Sequence, residues 1–200
     1  LLDIVNAVKE VTVERPELAP GSAAAQLSRD ISRVHGGKPM RAGAKRRRPA
    51  KVIGVTGSPG AGKSTLVAQM VGEFSGYKGR CGVVAFDPMS PLTSGALLGD
   101  RLRVDFNSLD EAVYYRSLAI SGEDYHGLSE VIELIGGAFE GDERIDTLFV
   151  ETVGAGQNET LIRKYVDRTA VVLVPGMGDA IQMDKAGILE IADLFVCNKA

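Results

Sequence analysis

Val52-Ile53-Gly54-Val55-Thr56-Gly57-Ser58-Pro59-Gly60-Ala61-Gly62-Lys63-Ser64-Thr65 joins an apolar run to a glycine-rich turn, a lysine and two hydroxyl residues. Val52 to Thr56 reads as a buried strand, and a helix is expected from Lys63 to about Phe74. Between them, Gly57-x-x-x-x-Gly62-Lys63-Ser64 fits the strand–loop–helix pattern of a phosphate-binding loop. The small residues Gly57, Ser58, Pro59, Gly60, Ala61 and Gly62 let backbone N–H groups curl around β- and γ-phosphates. Lys63 adds a positive charge, and the helix N-terminus adds its dipole. Ser64 offers a hydroxyl to Mg2+, and Thr65 can contact the α-phosphate side. A glycine-rich turn that fitted the pattern by chance would lack the flanking strand and helix.

Outward from this loop, short apolar runs alternate with helical stretches. Val83 to Phe86 reads as a strand ending at Asp87, and Ile145 to Val150 as one ending at Glu151. Ala170 to Val174 and Leu194 to Cys197 read as two more. Leu128, Val131, Ile132, Ile135 and Phe139 give a helical face, and Ser108-Leu109-Asp110-Glu111 is a capping-box signature that predicts a helix through about Ala119. Continuous apolar strands alternating with helices imply an α/β fold with a mostly parallel sheet covered on both faces. In such sheets the ligand sits beyond the carboxyl ends of the strands, where Thr56, Asp87, Glu151, Pro175 and Asn198 all fall.

Mg2+ prefers hard oxygen ligands. Asp87 and Glu151, at strand ends, are the natural acidic candidates, and Asp100 in Leu97-Leu98-Gly99-Asp100 is a third. A carboxylate at a strand end can instead cap the following turn. In Glu151-Thr152-Val153-Gly154, an acid and a glycine stand three residues apart after a strand. That is the arrangement of a γ-phosphate sensor, with the acid reaching metal water and the Gly154 N–H reaching phosphate. Asn198-Lys199 reads as the start of the guanine-recognition motif Asn-Lys-x-Asp. With phosphoryl transfer resting on positioning and charge, Lys63, Asp87 and Glu151 form the expected catalytic set, and none of them is singled out as the sole base.

The remaining composition narrows the partners. A formal charge of −3 over 200 residues argues against nucleic acid as a general partner. No apolar run approaches the roughly 20 residues of a membrane span. Cys81 and Cys197 lie beside or within predicted buried strands and read as reduced core residues, which points to a reducing compartment. Residues 1–50 are expected to form a helical and linker segment, with helices near the start and at about 22–35. Residues 51–200 are expected to form the nucleotide-binding domain, incomplete at its C-terminus. Lys45-Arg46-Arg47-Arg48 is either a binding patch or a solvated linker, and the lack of interleaved aromatics favours the linker. The chain begins with Leu1 and stops after a strand at Ala200, so it reads as a fragment.

The order of several strings resembles a known family. Gly57 to Thr65, Asp87-Pro88-x-Ser90, Leu98-Gly99-Asp100, Glu151-Thr152-Val153-Gly154-x-Gly156-Gln157, Pro175-Gly176-x-Gly178-Asp179 and Asn198-Lys199 together look like the MeaB/MMAA-type GTPases, which older naming calls ArgK. The resemblance covers about residues 51–200. It implies a SIMIBI-like G-domain and a homodimeric GTPase using GTP and Mg2+. As partner it implies adenosylcobalamin-dependent methylmalonyl-CoA mutase or a related mutase, for which the GTPase acts in cofactor loading and protection. It further implies Lys63 and Ser64 on phosphate and metal, Asp87, Asp100 and Glu151 around the metal, and Gln182 and Lys185 in a partner-responsive switch. The expected location is cytoplasmic, or the mitochondrial matrix for a eukaryotic chain.

Residues 103–127 depart from the family's usual basic, glycine-rich version of that segment, which bears on the mutase contact. Three other classes compete. A metal-insertion GTPase would want a Cys- and His-rich N-terminus, and residues 1–50 hold only His35. A P-loop kinase would need an acceptor pocket and a base. A binding module with negligible turnover would not need Lys63, Ser64, Asp87 and Glu151 together.

Overall fold

The computed structural model describes residues 21–75, 80–88, 113–120, 125, 127–141, 144–152, 160–175 and 186–199, with the backbone alone at 75, 87, 88, 120 and 186. The helix expected near residue 1, the capping box at 108–111, and Asp100, Gly154, Gln182 and Lys185 lie outside the described residues.

The strands are β1 (Lys51–Gly57), β2 (Arg80–Pro88), β3 (Val113–Ile120), β4 (Ile145–Glu151), β5 (Arg168–Leu173) and β6 (Leu194–Cys197). The helices are α1 (Ala23–His35), α2 (Lys63–Ser75), α3 (Leu128–Ala138) and the short α4 (Ala186–Glu190), with a 3-10 turn at Leu161–Lys164. The sheet runs β3-β2-β4-β1-β5-β6, and every pairing in it is parallel. The strand carrying the phosphate loop therefore lies inside the sheet, flanked by β4 and β5.

Side-chain alternation divides the core into two layers. On one face, Val52, Val84, Leu148 and Val150 pack with Leu27, Ile31 and Val34 of α1 and Leu128, Val131, Ile132 and Ile135 of α3. On the other, Val55, Val83, Phe149 and Val172 pack with Val67 and Val71 of α2. Phe149 is fully buried, and burial of such a side chain contributes roughly 1.5–3 kcal/mol. α1 begins where Ser22 accepts from Ala25 N at 3.2 Å, an N-cap, and Arg33 in its last turn suits the helix dipole.

Strand β3 corrects the helix expected through Ala119. Val113, Tyr114 and Tyr115 are β-branched or aromatic, and the strand pairs with β2 from Cys81↔Val113 to Pro88↔Ile120. Eight consecutive paired residues outweigh a local signal for helix. α1 covers this strand: His35 Nε2 meets Ala119 O at 2.7 Å, and Arg116 Nη2 donates to Ser32 Oγ at 2.7 Å.

The basic run leads into β1 with its side chains still substantially exposed, and each of them is ion-paired to the domain. Lys45 pairs with Glu140, and Arg46 pairs with Glu133. Arg47 reaches Asp146 at 2.8 Å and Arg48 reaches Asp167 at 2.6 Å. Arg47 N and Nε also donate to Glu133 O and Gly136 O, at 3.0 and 2.9 Å, which occupies carbonyls in the last turns of α3. This strap runs so close to α3 that a Cβ on Gly136 would stand under 3.0 Å from Arg47 O, and one on Gly137 under 3.0 Å from Lys45 O. Cys81 is buried as expected, but Cys197 is exposed, because β6 ends the described sheet and leaves Leu194 and Phe195 exposed too. Among the described residues no helix is long and apolar enough to cross a membrane.

Candidate phosphate-loop site

Gly57 closes β1 with φ +136°, and a Cβ there would meet the backbone of Val172 on β5. Only glycine lets the chain leave the sheet at this point. Gly60 and Gly62 also have positive φ, +73° and +90°, and Ala61 N donates back to Ser58 O at 3.1 Å. The loop then enters α2 at Lys63, with Leu66 N bonded to Gly62 O at 2.9 Å. No acidic residue of α2 itself stands in its first turn, so the positive end of the helix dipole faces the loop.

Lys63 is 7% exposed, and its Nζ donates to Gly57 O at 2.8 Å and Ser58 O at 3.1 Å. Those bonds hold a buried ammonium across the mouth of the loop, beside the backbone that would cradle phosphate. Ser64 Oγ donates to Glu151 Oε1 at 2.6 Å, and Glu151 is 5% exposed. A hydroxyl and a carboxylate converging in this way are two hard oxygen donors at one point, which fits Mg2+. Asp87 is in the last turn of pleat of β2, opposite Ala119, and β2 lies beside β4.

From the other side, Asn198 Nδ2 donates to Ala61 O at 2.8 Å and Lys199 Nζ to Gly60 O at 2.7 Å. Asn198 N bonds Leu173 O at 2.8 Å, extending the β5–β6 ladder, and Lys199 takes a positive φ of 58°. The structure thus gathers Gly57 to Ser64, Glu151, Asn198 and Lys199 around one loop. Thr152 Oγ1 donates to Thr56 Oγ1 at 2.8 Å directly beneath it, a pair to which the sequence analysis gave no role. The signal for it is a threonine at the matching end of each of two strings already singled out, and it emerges only once their register is known.

Known proteins resemble this chain in fold and in sequence. The signal recognition particle receptor FtsY of Elizabethkingia anophelis superimposes with a TM-score of 0.50 at 14% identity, over 98% of this chain and 64% of that one, which shows the fold alone. The GTPase ArgK of Escherichia coli is 37% identical over 157 residues, 74% of this chain and 44% of its own. The fused isobutyryl-CoA mutase of Nocardia farcinica is 38% identical over 162 residues, 78% of this chain and 14% of its own. The chain spans less than half the length of either curated relative. The family model described as the methylmalonyl-CoA mutase-associated GTPase MeaB matches residues 33–200, so the chain belongs to the MeaB family.

Proposed function

We propose that the protein is a Mg2+-dependent GTP hydrolase that regulates an adenosylcobalamin-dependent acyl-CoA mutase, methylmalonyl-CoA mutase or a related one, in cofactor loading and protection. The observation that carries the reading is the convergence of Lys63, the Ser64–Glu151 pair and the Asn198–Lys199 strand end on one glycine-rich loop. A phosphate-binding loop alone would fit many nucleotide enzymes. The Asn-Lys dipeptide tied to it favours guanine, and the family favours the mutase. The Nocardia farcinica relative, whose name joins mutase and fusion in one chain, supports the same class of partner.

In this reading Lys63 exchanges its carbonyl partners for phosphate oxygens, and the backbone N–H groups of Ser58 and of residues 60–64 take the rest of the charge. Ser64 and Glu151 would hold Mg2+, with Asp87 and Asp100 as the further proposed ligands, and the ion would supply charge neutralisation on the phosphates when bound. Glu151 orients the attacking water. Little covalent work is required of the protein, since positioning and charge carry phosphoryl transfer. Gly154 as the γ-phosphate sensor, Gln182 and Lys185 as the partner switch, and a homodimeric assembly belong to the same reading.

Calorimetric titration with GTP and ATP in Mg2+, with and without methylmalonyl-CoA mutase, tests it. Selective GTP binding that changes when the mutase is added is the expected result. Guanine selectivity with no mutase effect removes the partner, and a preference for ATP removes the GTPase reading in favour of a kinase.

A further inference from the structure

Thr56 and Thr152 are 0% and 1% exposed, each at the end of a strand that borders the phosphate loop. A buried hydroxyl costs free energy unless it is hydrogen-bonded, and valine has nearly the same shape without that cost. Thr152 Oγ1 donates to Thr56 Oγ1 at 2.8 Å, so each buried hydroxyl oxygen has a hydrogen-bond partner in the other. The register explains why they meet. β1 and β4 are adjacent and parallel with Val55 opposite Glu151, which brings the next residues, Thr56 and Thr152, side by side. Thr152 N also donates to Val55 O at 3.0 Å, extending the ladder one residue past β4.

The pair sits between two parts of the site. Gly57, the first residue of the loop, follows Thr56, and Glu151 precedes Thr152. Val55 packs in the layer with α2, and Glu151 turns toward Ser64 on α2. By alternation Thr56 and Thr152 face the opposite layer. The two strand ends are therefore gripped from both faces: by Glu151 with Ser64 above, and by the two threonines below.

We propose that the Thr56–Thr152 hydroxyl pair is a positioning element that fixes the Glu151 carboxylate relative to the start of the phosphate loop. The proposal rests on the GTP-hydrolase reading of the site. Neither threonine touches nucleotide; both act through their neighbours. Removing one hydroxyl leaves the other buried without its partner, and the strand ends then shift against each other. Ground-state nucleotide binding, carried by the loop and Lys63, survives that shift better than the alignment needed for hydrolysis.

The test compares Thr152→Val, Thr56→Val, Thr152→Ser and the double valine variant in the intact protein, at a temperature where thermal unfolding shows each to be folded. Steady-state GTP hydrolysis and GDP affinity are measured. Thr152→Val should lower kcat by about tenfold while GDP affinity stays within about threefold, the signature of misplacement rather than lost binding. Thr152→Ser should restore kcat, and the double variant should be no worse than the worse single one, because the two hydroxyls act as a unit. Wild-type kcat in Thr152→Val, equal losses in kcat and GDP affinity, or failure of serine to rescue would each overturn the proposal. A wild-type protein that hydrolyses no GTP overturns the functional reading itself, and is recognised because it needs no substitution.

Discussion

The Asn198 carboxamide donates to Ala61 O at 2.8 Å, joining the end of β6 to the middle of the phosphate loop. Lys199 adds a second tie to Gly60 O at 2.7 Å. The Asn198-Lys199 dipeptide, proposed to recognise the base, therefore also braces the phosphate loop. Asn198→Ala should weaken both GTP and GDP by about tenfold, the equivalent of one well-placed hydrogen bond. Titration with GDP measures it, and an unchanged affinity would show that the tie has no bearing on binding.

Gly60 and Gly62 both have positive φ, but they differ in what surrounds them. A Cβ on Gly60 meets open space, whereas one on Gly62 would stand under 3.0 Å from Asn198 Nδ2. Gly60→Ala should carry backbone strain of roughly 1–2 kcal/mol. Gly62→Ala should carry similar strain and displace Asn198 as well, so its nucleotide affinity should fall further. The reverse order in a GDP titration would contradict the described packing.

Gly136 and Gly137 lie in α3, where alanine ordinarily stabilises by about 1 kcal/mol. Here the strap backbone occupies the space, so Gly136→Ala should destabilise the fold by about 1–3 kcal/mol. Urea unfolding gives the sign directly. GDP affinity should be unaffected, since the strap engages Asp146 and Asp167 at the opposite ends of the strands from the loop.

Acid should act through the same strap. Burial raises the pKa of Asp146 and Asp167, but hydrogen bonds and charge outweigh it: Arg47 and Arg144 on the first, Arg48 and the Val52 N–H on the second. Both carboxyls end below the ordinary 3.8. A depressed folded-state pKa contributes stability that is complete above the unfolded value and lost as pH falls through the folded one. The urea midpoint should therefore be insensitive to these groups near neutrality and fall below about pH 4. With side chains 38% and 46% exposed, each pair should contribute under about 1 kcal/mol. Asp167→Asn should flatten the acid limb, and an unaltered limb would count against the assignment.

Thiol labelling should separate the two cysteines. Burial pushes the Cys81 thiol up, which keeps it protonated and unreactive, while Cys197 is exposed on β6. One equivalent of a thiol reagent should react in the native protein and two in denaturant. Rapid reaction of both would mean that β2 is open to solvent.

The phosphate loop and its flanking strands were legible because each is a local pattern: a continuous apolar run, then glycines, then Lys63-Ser64. β3 was not, since a capping box is a local signal too, and only the ladder with β2 overrides it. The anchoring of Arg47 and Arg48 was equally hidden. Their partners Asp146 and Asp167 lie about a hundred residues away, and the glycines that seat the strap look like any others until α3 is folded beside it. Thr56 and Thr152 needed the β1–β4 register, which no spacing within one strand can give. What sequence shows is chemistry at strand ends; which ends meet is decided by the order of strands.

That order has a consequence for how the site comes apart. Amide protection is greatest where strands have neighbours on both sides and least where they do not. β1, which delivers Lys63 and the loop, is paired on both sides, with β4 and β5. The phosphate end of a nucleotide bound as proposed would thus rest on a strand that opens only when the sheet itself does.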